Sequence, residues 1–585
     1  MGGTSTDVCL VRGGAPEPAP GREVAGFPVR LPALDIHTIG AGGGSIARLD
    51  PGGALVVGPE SAGADPGPAC YGQGGTAPTV TDADLVLGRI PAAAAFPGLG
   101  TLDGEAAAAA LLRALVGGGG AGVATGGAVR RAAADTTTDA DEQTDGNLAS
   151  VESLAAGVVA VVDAAMEQAV RAVTVERGVD PAGLALVAFG GAGPLHACAL
   201  AEALGMAAVI VPPRAGVLSA VGLLCSPRQR ELVRSWPDPA SRDGLDEALA
   251  ALGADARAVV AGAGAAEPEV EVEFALDCRY RGQSHELSVP SVEAFHAEHE
   301  RRNGYARPDS PVEIVALRAR ARRPAPVDPE ALPQPVRERC TGPTVAIEPD
   351  CTVWIPDGWV AEPGALGAWI LTWPGRDNRN MLRATAEDEQ VSQHGAPMDR
   401  LNGEGGSGSL DPAALRILIS RLTGIADEMG AVLRRAAFSP NIKERADCSA
   451  ALFTPAGELL AQAEHIPVHL GSMPASVRAA IDAFGGAPGS GLSSTRLQRG
   501  DQVILNDPFA GGTHLNDIPL GAPCFAGAGA LVGWAATRAH HADVGGMAPG
   551  SIPAAATEIH QEGLRIPPVL LTAEVEAILL ANSRT

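Results

Sequence analysis

Leu184-Ala185-Leu186-Val187-Ala188-Phe189-Gly190-Gly191-Ala192-Gly193-Pro194-Leu195-His196-Ala197 is a short apolar run, a glycine-rich turn and the opening of a helix. A strand that feeds glycines into a helix is the building unit of an α/β fold. It leaves free backbone N–H groups and the positive end of the helix dipole pointing at whatever occupies the turn. The stretch therefore reads as a pocket for an anion or a nucleotide. His196 lies in the helix's first turn, where capping or packing is the expected role ahead of catalysis. Downstream, Ala208 to Val211 reads as another strand, and Ala215 to Gly222 as a turn into a helix. Upstream, Leu154, Val158, Val161, Val162, Ala165, Met166, Ala169, Val170 and Val173 recur at helical spacing, predicting one long amphipathic helix from Ser153 to Arg177, ended by Gly178.

Two more glycine turns lie nearer the start. Gly2-Gly3-Thr4-Ser5-Thr6-Asp7 sets glycines, hydroxyls and an aspartate before an apolar run. Glycines let the backbone approach a phosphate, hydroxyls and amides donate to its oxygens, and the aspartate can hold Mg²⁺ or a water; an ordinary hairpin turn has the same composition. The chain starts directly inside this turn, the expectation for a truncated protein. Asp35 to Ala47 holds a second loop, His37-Thr38-Ile39-Gly40-Ala41-Gly42-Gly43-Gly44-Ser45, whose glycines are not spaced as a dinucleotide fingerprint. A close backbone approach to a ligand or a facing segment is expected there. Gly58 to Gly72 is dense in turn formers and reads as an irregular surface loop, and the segment from about 126 to 150 as a solvated insert.

With 585 residues the chain exceeds one hydrophobic core, and roughly three or four domains are expected. A formal charge of −25 argues against a nucleic-acid partner, because phosphate backbones need Lys/Arg patches. Nine scattered cysteines without a C-x-x-C pair indicate neither a disulfide framework nor a thiolate zinc site, and fit a reducing, cytoplasmic setting; Cys198 and Cys448 read as buried fillers. No uninterrupted apolar run reaches the roughly 18 residues of a membrane helix, so no membrane association is expected.

Farther along, alternation at Val270, Val272 and Phe274 and at Leu287 and Val289 suggests half-buried strands, with a short helix from Phe295 to Tyr305. His285, His296 and His299 are assigned to a solvated face. Residues 341 to 370 read as a small β module, and 373–409 dissolves into charges and glycines, the pattern of a flexible linker. Leu410 to Phe438 follows as a strong amphipathic helix, with Asp411 as its cap and Pro412 in its first turn.

The chain's polar chemistry concentrates near its end. Asn506-Asp507-Pro508-Phe509-Ala510-Gly511-Gly512-Thr513-His514-Leu515-Asn516-Asp517 and Thr537-Arg538-Ala539-His540-His541-Ala542-Asp543-Val544-Gly545-Gly546 gather three of the 12 histidines and several carboxylates between glycine turns. That is the donor composition of a divalent metal site, although two turns whose polar residues cap each other would use the same types. Asp507 and Asp543 are candidates to orient ligating histidines, while Asp447, His469 and Asp507 are candidate catalytic residues.

Residues 2–7, 37–45 and 189–196 together resemble the hydantoinase A/oxoprolinase family, and 268–322 continues the match. Glu444 to Ala450, Ala463 to Met473 and the histidine-bearing stretches are similar to the N-terminal part of the hydantoinase B/oxoprolinase family. The resemblance implies a partial actin-like ATPase domain, of the sugar kinase and heat-shock ATPase type, at 1–235, and a β-rich region at 236–372. The linker at 373–409 and an α+β hydantoinase B-type part at 410–585 would follow. It implies that Gly2, Gly3, Thr4, Ser5, Thr6 and Asp7 form a phosphate loop and Gly190, Gly191 and Gly193 an adenosine loop for ATP with Mg²⁺, the other phosphate loop having no counterpart in the chain. It also implies that His514, Asp517 and His540 or His541 hold Mn²⁺, Fe²⁺ or Zn²⁺. The implied reaction is ATP-dependent hydrolytic opening of a cyclic amide such as 5-oxoproline or a hydantoin. Ketone carboxylation of the acetone or acetophenone type is one alternative, and a non-catalytic truncated or fused fragment another. A partner chain or a homo-oligomer would supply missing domains.

Overall fold

The computed structural model describes residues 1–19, 22–24, 27–29, 33–93, 100–116, 150–261, 270–283, 286–303, 305–373, 411–437, 439–443, 445–463, 467–484, 497–527 and 529–584. The expected linker, apart from Trp373, nearly all of the insert near 126–150, and His285 lie outside them. The fold is mixed α/β, built around three sheets.

The first unit begins with strands β1 (Thr6–Val8) and β2 (His37–Ile39), which pair antiparallel, and the hairpin of β3 (Ser45–Leu49) and β4 (Leu55–Ser61). Helices α1 (Val80–Val86), α2 (Gly104–Leu115) and α3 (Val151–Val173) cover them. The long helix breaks earlier than its spacing suggests: a separate short turn, Val175–Arg177, closes on Gly178 in the left-handed region, φ 76°. By length and mean hydropathy α3 could cross a membrane, because its charges are few and spread out. Here Val158, Val162, Met166 and Val170 are buried in the core.

The strand-turn-helix unit is present as β5 (Ala185–Val187) and α4 (Gly193–Leu204), and β5 lies parallel to β6 (Ala208–Val211). The β module expected at 341–370 is not a separate layer. Of its strands, β11 (Cys340–Thr341), β12 (Val360–Pro363) and β13 (Trp369–Thr372) extend the same sheet, Val209 pairing with Leu371 across β6 and β13. Cys198, Val209, Val353, Ile355, Trp359 and Leu371 share one core there.

Between these strands sits a second unit with its own core. An antiparallel sheet in the order β7 (Gln229–Ser235), β10 (Val312–Arg322), β8 (Glu271–Tyr280), β9 (Leu287–Val289) is packed by α5 (Leu245–Ala261) and α6 (Phe295–Asn303). The solvated-face assignment fails here: His299 is fully buried, its Nδ1 2.8 Å from the Tyr305 carbonyl, and His296 Nδ1 lies 2.7 Å from the Tyr280 hydroxyl. Both rings join an aromatic cluster around Phe295 and Tyr280, where the apolar ring faces gain more from packing than from solvent.

The third unit opens with α7 (Pro412–Ala436), whose cap is as read: the Asp411 carboxylate accepts from the Ala413 and Ala414 N–H groups. A six-stranded sheet follows in the order β15 (Leu459–Ala463), β14 (Cys448–Phe453), β18 (Ala530–His540), β17 (Asp517–Ala526), β16 (Val503–Ile504), β19 (Val569–Leu570). Strand alternation divides the residues of β14 between two helices. Ala450 packs with Ala426 of α7, and Ala451 with Met473 and Val477 of α8 (Pro467–Phe484).

Candidate functional site

Register builds the cluster. Asp517 is paired with His540 across β17 and β18, and the His540 N–H donates to the Asp447 carbonyl at the mouth of β14, so three residues far apart in sequence stand in a row across three strands. Alternation sends Asp447, Ser449, Arg538 and His540 to the face that α8 covers, where His469 comes down from the helix. His514 arrives from the loop before β17.

His540 Nδ1 and Asp517 Oδ1 are 3.0 Å apart, His514 Nε2 lies 3.0 Å from that same nitrogen and 3.4 Å from the same oxygen. One donor atom from each residue thus falls within 4.8 Å of the others. His469 Nε2 is 3.5 Å from Asp517 Oδ2 and 3.7 Å from Asp447 Oδ1, while its Nδ1 meets the Ser449 hydroxyl at 3.0 Å. Asp447 Oδ2 stands 3.9 Å from His540 Nδ1. Asp517 and His469 are buried, whereas the His514 side chain is 45 % exposed, so the cluster has one face open to a ligand.

The three groups are shifted in different directions. Burial alone would raise the Asp517 carboxyl, but hydrogen bonds from His469, His540 and Thr513 hold it well below the usual carboxylate range. Burial lowers His514, keeping its imidazole in the neutral, ligating form. The hydrogen bond to Asp517 raises His540. Two ring nitrogens and a carboxylate oxygen converging on one point fit Mn²⁺, Fe²⁺ or Zn²⁺.

Other expected residues have different placements. His541 is outside the cluster; its backbone N–H donates to the Asn516 carbonyl at 2.8 Å. Asp507 accepts from the Phe509 N–H at 3.0 Å and pairs with Arg565 at 3.4 Å, capping the turn Pro508–Ala510 instead of facing the histidines. Asp543 accepts from the Gly545 and Gly550 amides, which shapes its own loop.

Sequence reasoning missed Arg538. Its side chain is fully buried, two residues before His540, and donates to the hydroxyls of Ser472 and Ser476 on α8. Nothing marks a buried cation in the sequence, because the serines that solvate it are 62 and 66 positions away. A second group of possible donors, Glu348, Asp350 and Cys351, is already engaged: Glu348 pairs with Arg337 and accepts from Trp369, and Asp350 accepts from the Gly216 N–H.

The three glycine turns meet around the first residue. Gly43 and Gly44 donate to the carbonyls of Gly2 and Gly3, and a Cβ on Gly42 would fall 2.5 Å from the Thr4 nitrogen. The Met1 carbonyl accepts from Ala192 and Gly193, and Gly190, at φ 82°, leaves no room for a Cβ beside it. Much of the expected phosphate-binding capacity is therefore spent within the chain. The Gly190 and Gly193 amides are donors to Ala215 and Met1, Gly2 donates to the Ser5 carbonyl, and the buried Thr6 hydroxyl donates to Ala41. Asp7 is exposed and accepts from Thr38 at 2.6 Å; Gly3, Thr4 and Gly191 are also exposed.

His196 is a buried link. Its Nδ1 lies 2.7 Å from Asp163 of α3 and its Nε2 3.4 Å from Asp84 of α1. Burial opposes its charge, but the two carboxylates outweigh that and raise it to about 10.

Residues 1–231 match the Hydantoinase/oxoprolinase family model and residues 411–585 the Hydantoinase B/oxoprolinase model. The chain belongs to the hydantoinase/oxoprolinase family. Among its relatives, 5-oxoprolinase 1 of Arabidopsis thaliana is 32% identical over 97% of this chain and 44% of its own length. The 5-oxoprolinase of Saccharomyces cerevisiae is 30% identical over 98% and 45%. Caprolactamase subunit alpha of Pseudomonas jessenii is 34% identical over 55% and 46%. The chain thus spans less than half the length of these relatives. The crystal structure of ATP-dependent caprolactamase from Pseudomonas jessenii aligns over 64% of this chain and 58% of that one, at 29% identity and a TM-score of 0.48.

Proposed function

We propose that this chain carries the metal-bearing part and one side of the nucleotide site of an ATP-dependent amidohydrolase that opens a cyclic amide of the 5-oxoproline or hydantoin type. The observation that carries the reading is the convergence of His514, Asp517 and His540 on one point, with Asp447 and His469 beside it. Relatives named for 5-oxoproline and caprolactam cleavage supply the substrate class.

In this reading residues 1–235 belong to an actin-like ATPase, and Gly3, Thr4, Asp7 and Gly191, the exposed parts of the two loops, face ATP and its Mg²⁺. Transfer of the γ-phosphoryl group to the amide oxygen forms a P–O bond, releases ADP and makes the ring carbon electrophilic. Water then adds to that carbon, the C–N bond breaks with a proton passing to nitrogen, and a second water releases inorganic phosphate from the opened acid. A divalent ion held by His514, Asp517 and His540 would stabilise negative charge developing on oxygen. Asp447, one-quarter exposed at the rim, would take the water's proton, with His469 Nε2 3.7 Å away as its neighbour and Ser449 on the other ring nitrogen. Full activity requires the rest of the assembly, as a partner chain or a further copy. Nine free cysteines and the need for ATP support a cytoplasmic setting.

The test combines the chain with the remaining segments of a full-length relative and follows ATP consumption and ring opening together. Expected are one ADP and one phosphate per ring opened, and loss of ring opening in His514→Ala. Ring opening that persists without ATP, or at full rate in His514→Ala, sinks the reading.

A further inference from the structure

Away from the metal centre, a cavity of about 390 Å³ lies where the end of α3, α6 and α7 meet. Arg177, Arg301, Arg302 and Arg435 line it, with Asn303 and Tyr305. Four guanidiniums on one concave surface are out of keeping with a chain of 43 basic and 68 acidic residues. Their neutralisation is incomplete. Arg177 is paired with Asp35, but Arg301 and Arg302 share the single carboxylate of Glu298. Glu17, 3.8 Å from Arg301, also serves Arg12. Arg435 has no carboxylate partner among the described residues; its Nη1 donates to the Glu176 carbonyl at 3.0 Å. Gly178 makes room for it, since a Cβ there would lie 2.9 Å from that same nitrogen.

Lys443, over the Tyr305 ring at 4.9 Å, adds a fifth cation behind the wall and donates to the Asn303 carbonyl. The volume suits a small ligand, and planar guanidinium forks suit paired oxygens.

We propose that this cavity binds a small, multiply charged oxyanion, of the phosphate-ester or dicarboxylate class, held by Arg302 and Arg435. Such a ligand would join elements from all three units, because the turn after α3, α6 and α7 each contribute a wall. The proposal does not depend on the reaction assigned to the metal centre.

Titration calorimetry on the whole chain, with inorganic pyrophosphate and glutarate as probes at physiological salt, tests it. Saturable binding of pyrophosphate alone identifies the phosphate class, of glutarate alone the dicarboxylate class, and of both a general dianion site. Arg435→Gln is expected to weaken binding about tenfold or more, as loss of a charge-assisted contact should. Arg302→Gln separates ligand binding from folding: its partly exposed pair with Glu298 contributes little stability, so the free chain keeps its thermal stability while anion affinity falls several-fold. Gly42→Ala, at the glycine turns, should leave this binding unchanged. The proposal is overturned if neither probe binds, if Arg435→Gln and Arg302→Gln both bind like the parent, or if the loss follows Gly42→Ala instead.

Discussion

Asp517 Oδ1 lies 3.0 Å from His540 Nδ1 on the neighbouring strand, and the two residues face each other in the β17–β18 register. Because strand pairing sets the position of both, the carboxylate and the imidazole are held by the sheet itself, and only His514 comes from a loop. Asp517→Ala and His514→Ala are therefore expected to lower bound Mn, Fe or Zn at least tenfold. His541→Ala should retain the parent's metal content, since that side chain lies outside the cluster. Elemental analysis after equilibrium dialysis decides, and equal losses in all three variants would count against the assignment.

The glycine turns give a second prediction. A methyl group on Gly42 would meet the backbone of Gly3 and Thr4 at 2.5 to 2.7 Å, and backbone cannot swing aside as a side chain can. Gly42→Ala should separate the turn at 2–7 from the one at 40–45. The expected destabilisation exceeds about 1 kcal/mol, the size of other backbone clashes. Hydrogen exchange should quicken at Gly43 and Gly44, whose amides donate to the carbonyls of Gly2 and Gly3, while metal content is unchanged. Parent-like protection at both amides would mean the turns pack differently.

Features written locally were legible in the sequence. Asp411 before Pro412, Gly178 after an apolar stripe, and Gly190 to Gly193 after a strand each declare an element through its own neighbours, and all three elements are present. His514 and Asp517 could be singled out for the same reason, being three residues apart. Relations set by register or by return of the chain were not legible. Strand β13 pairs with β6 across more than 150 intervening residues, Asp447 reaches His540 only through the order of β14, β18 and β17, and Arg538 finds its serines on another element. His299 misled because its charged neighbours Glu298 and Glu300 describe the helix's outer face, while its own side faces Tyr280.

His196 should give the first unit a pH dependence of definite sign. In the folded chain Asp84 and Asp163 hold it protonated, raised to about 10, against an unfolded value of 6.5. The resulting stabilisation is complete below about pH 6.5 and declines as pH rises through about 10, because a raised histidine loses its advantage once the folded form deprotonates. A His196→Gln variant should be less stable near neutrality, on the order of a few kcal/mol, with the gap narrowing towards pH 10. Thermal unfolding of both proteins at pH 6, 8 and 10 measures that gap. A difference that does not shrink with pH would show His196 acting by shape alone.

The α3–α7 contact ties the first unit to the third. Arg171 of α3 grips Glu428 of α7 through two hydrogen bonds, its Nη2 at 2.9 Å, with only 29% and 17% of the two side chains exposed. Nearby, Gly424 lets α7 sit against Gln168, where a Cβ would come within 2.0 Å of the amide oxygen. Removing one charge leaves the other partly buried and unpaired, which costs more than the pair itself contributes, so Glu428→Gln should destabilise the contact by about 1–3 kcal/mol. Arg171→Met combined with Glu428→Leu should recover part of that loss, since neither charge then remains. The contact joins two units, with Ala413 of α7 also packed in the first unit's core, so weakening it should separate their urea transitions, followed by hydrogen exchange in β18 and in α3. Transitions that coincide in Glu428→Gln as closely as in the parent would place the coupling elsewhere on this helix pair.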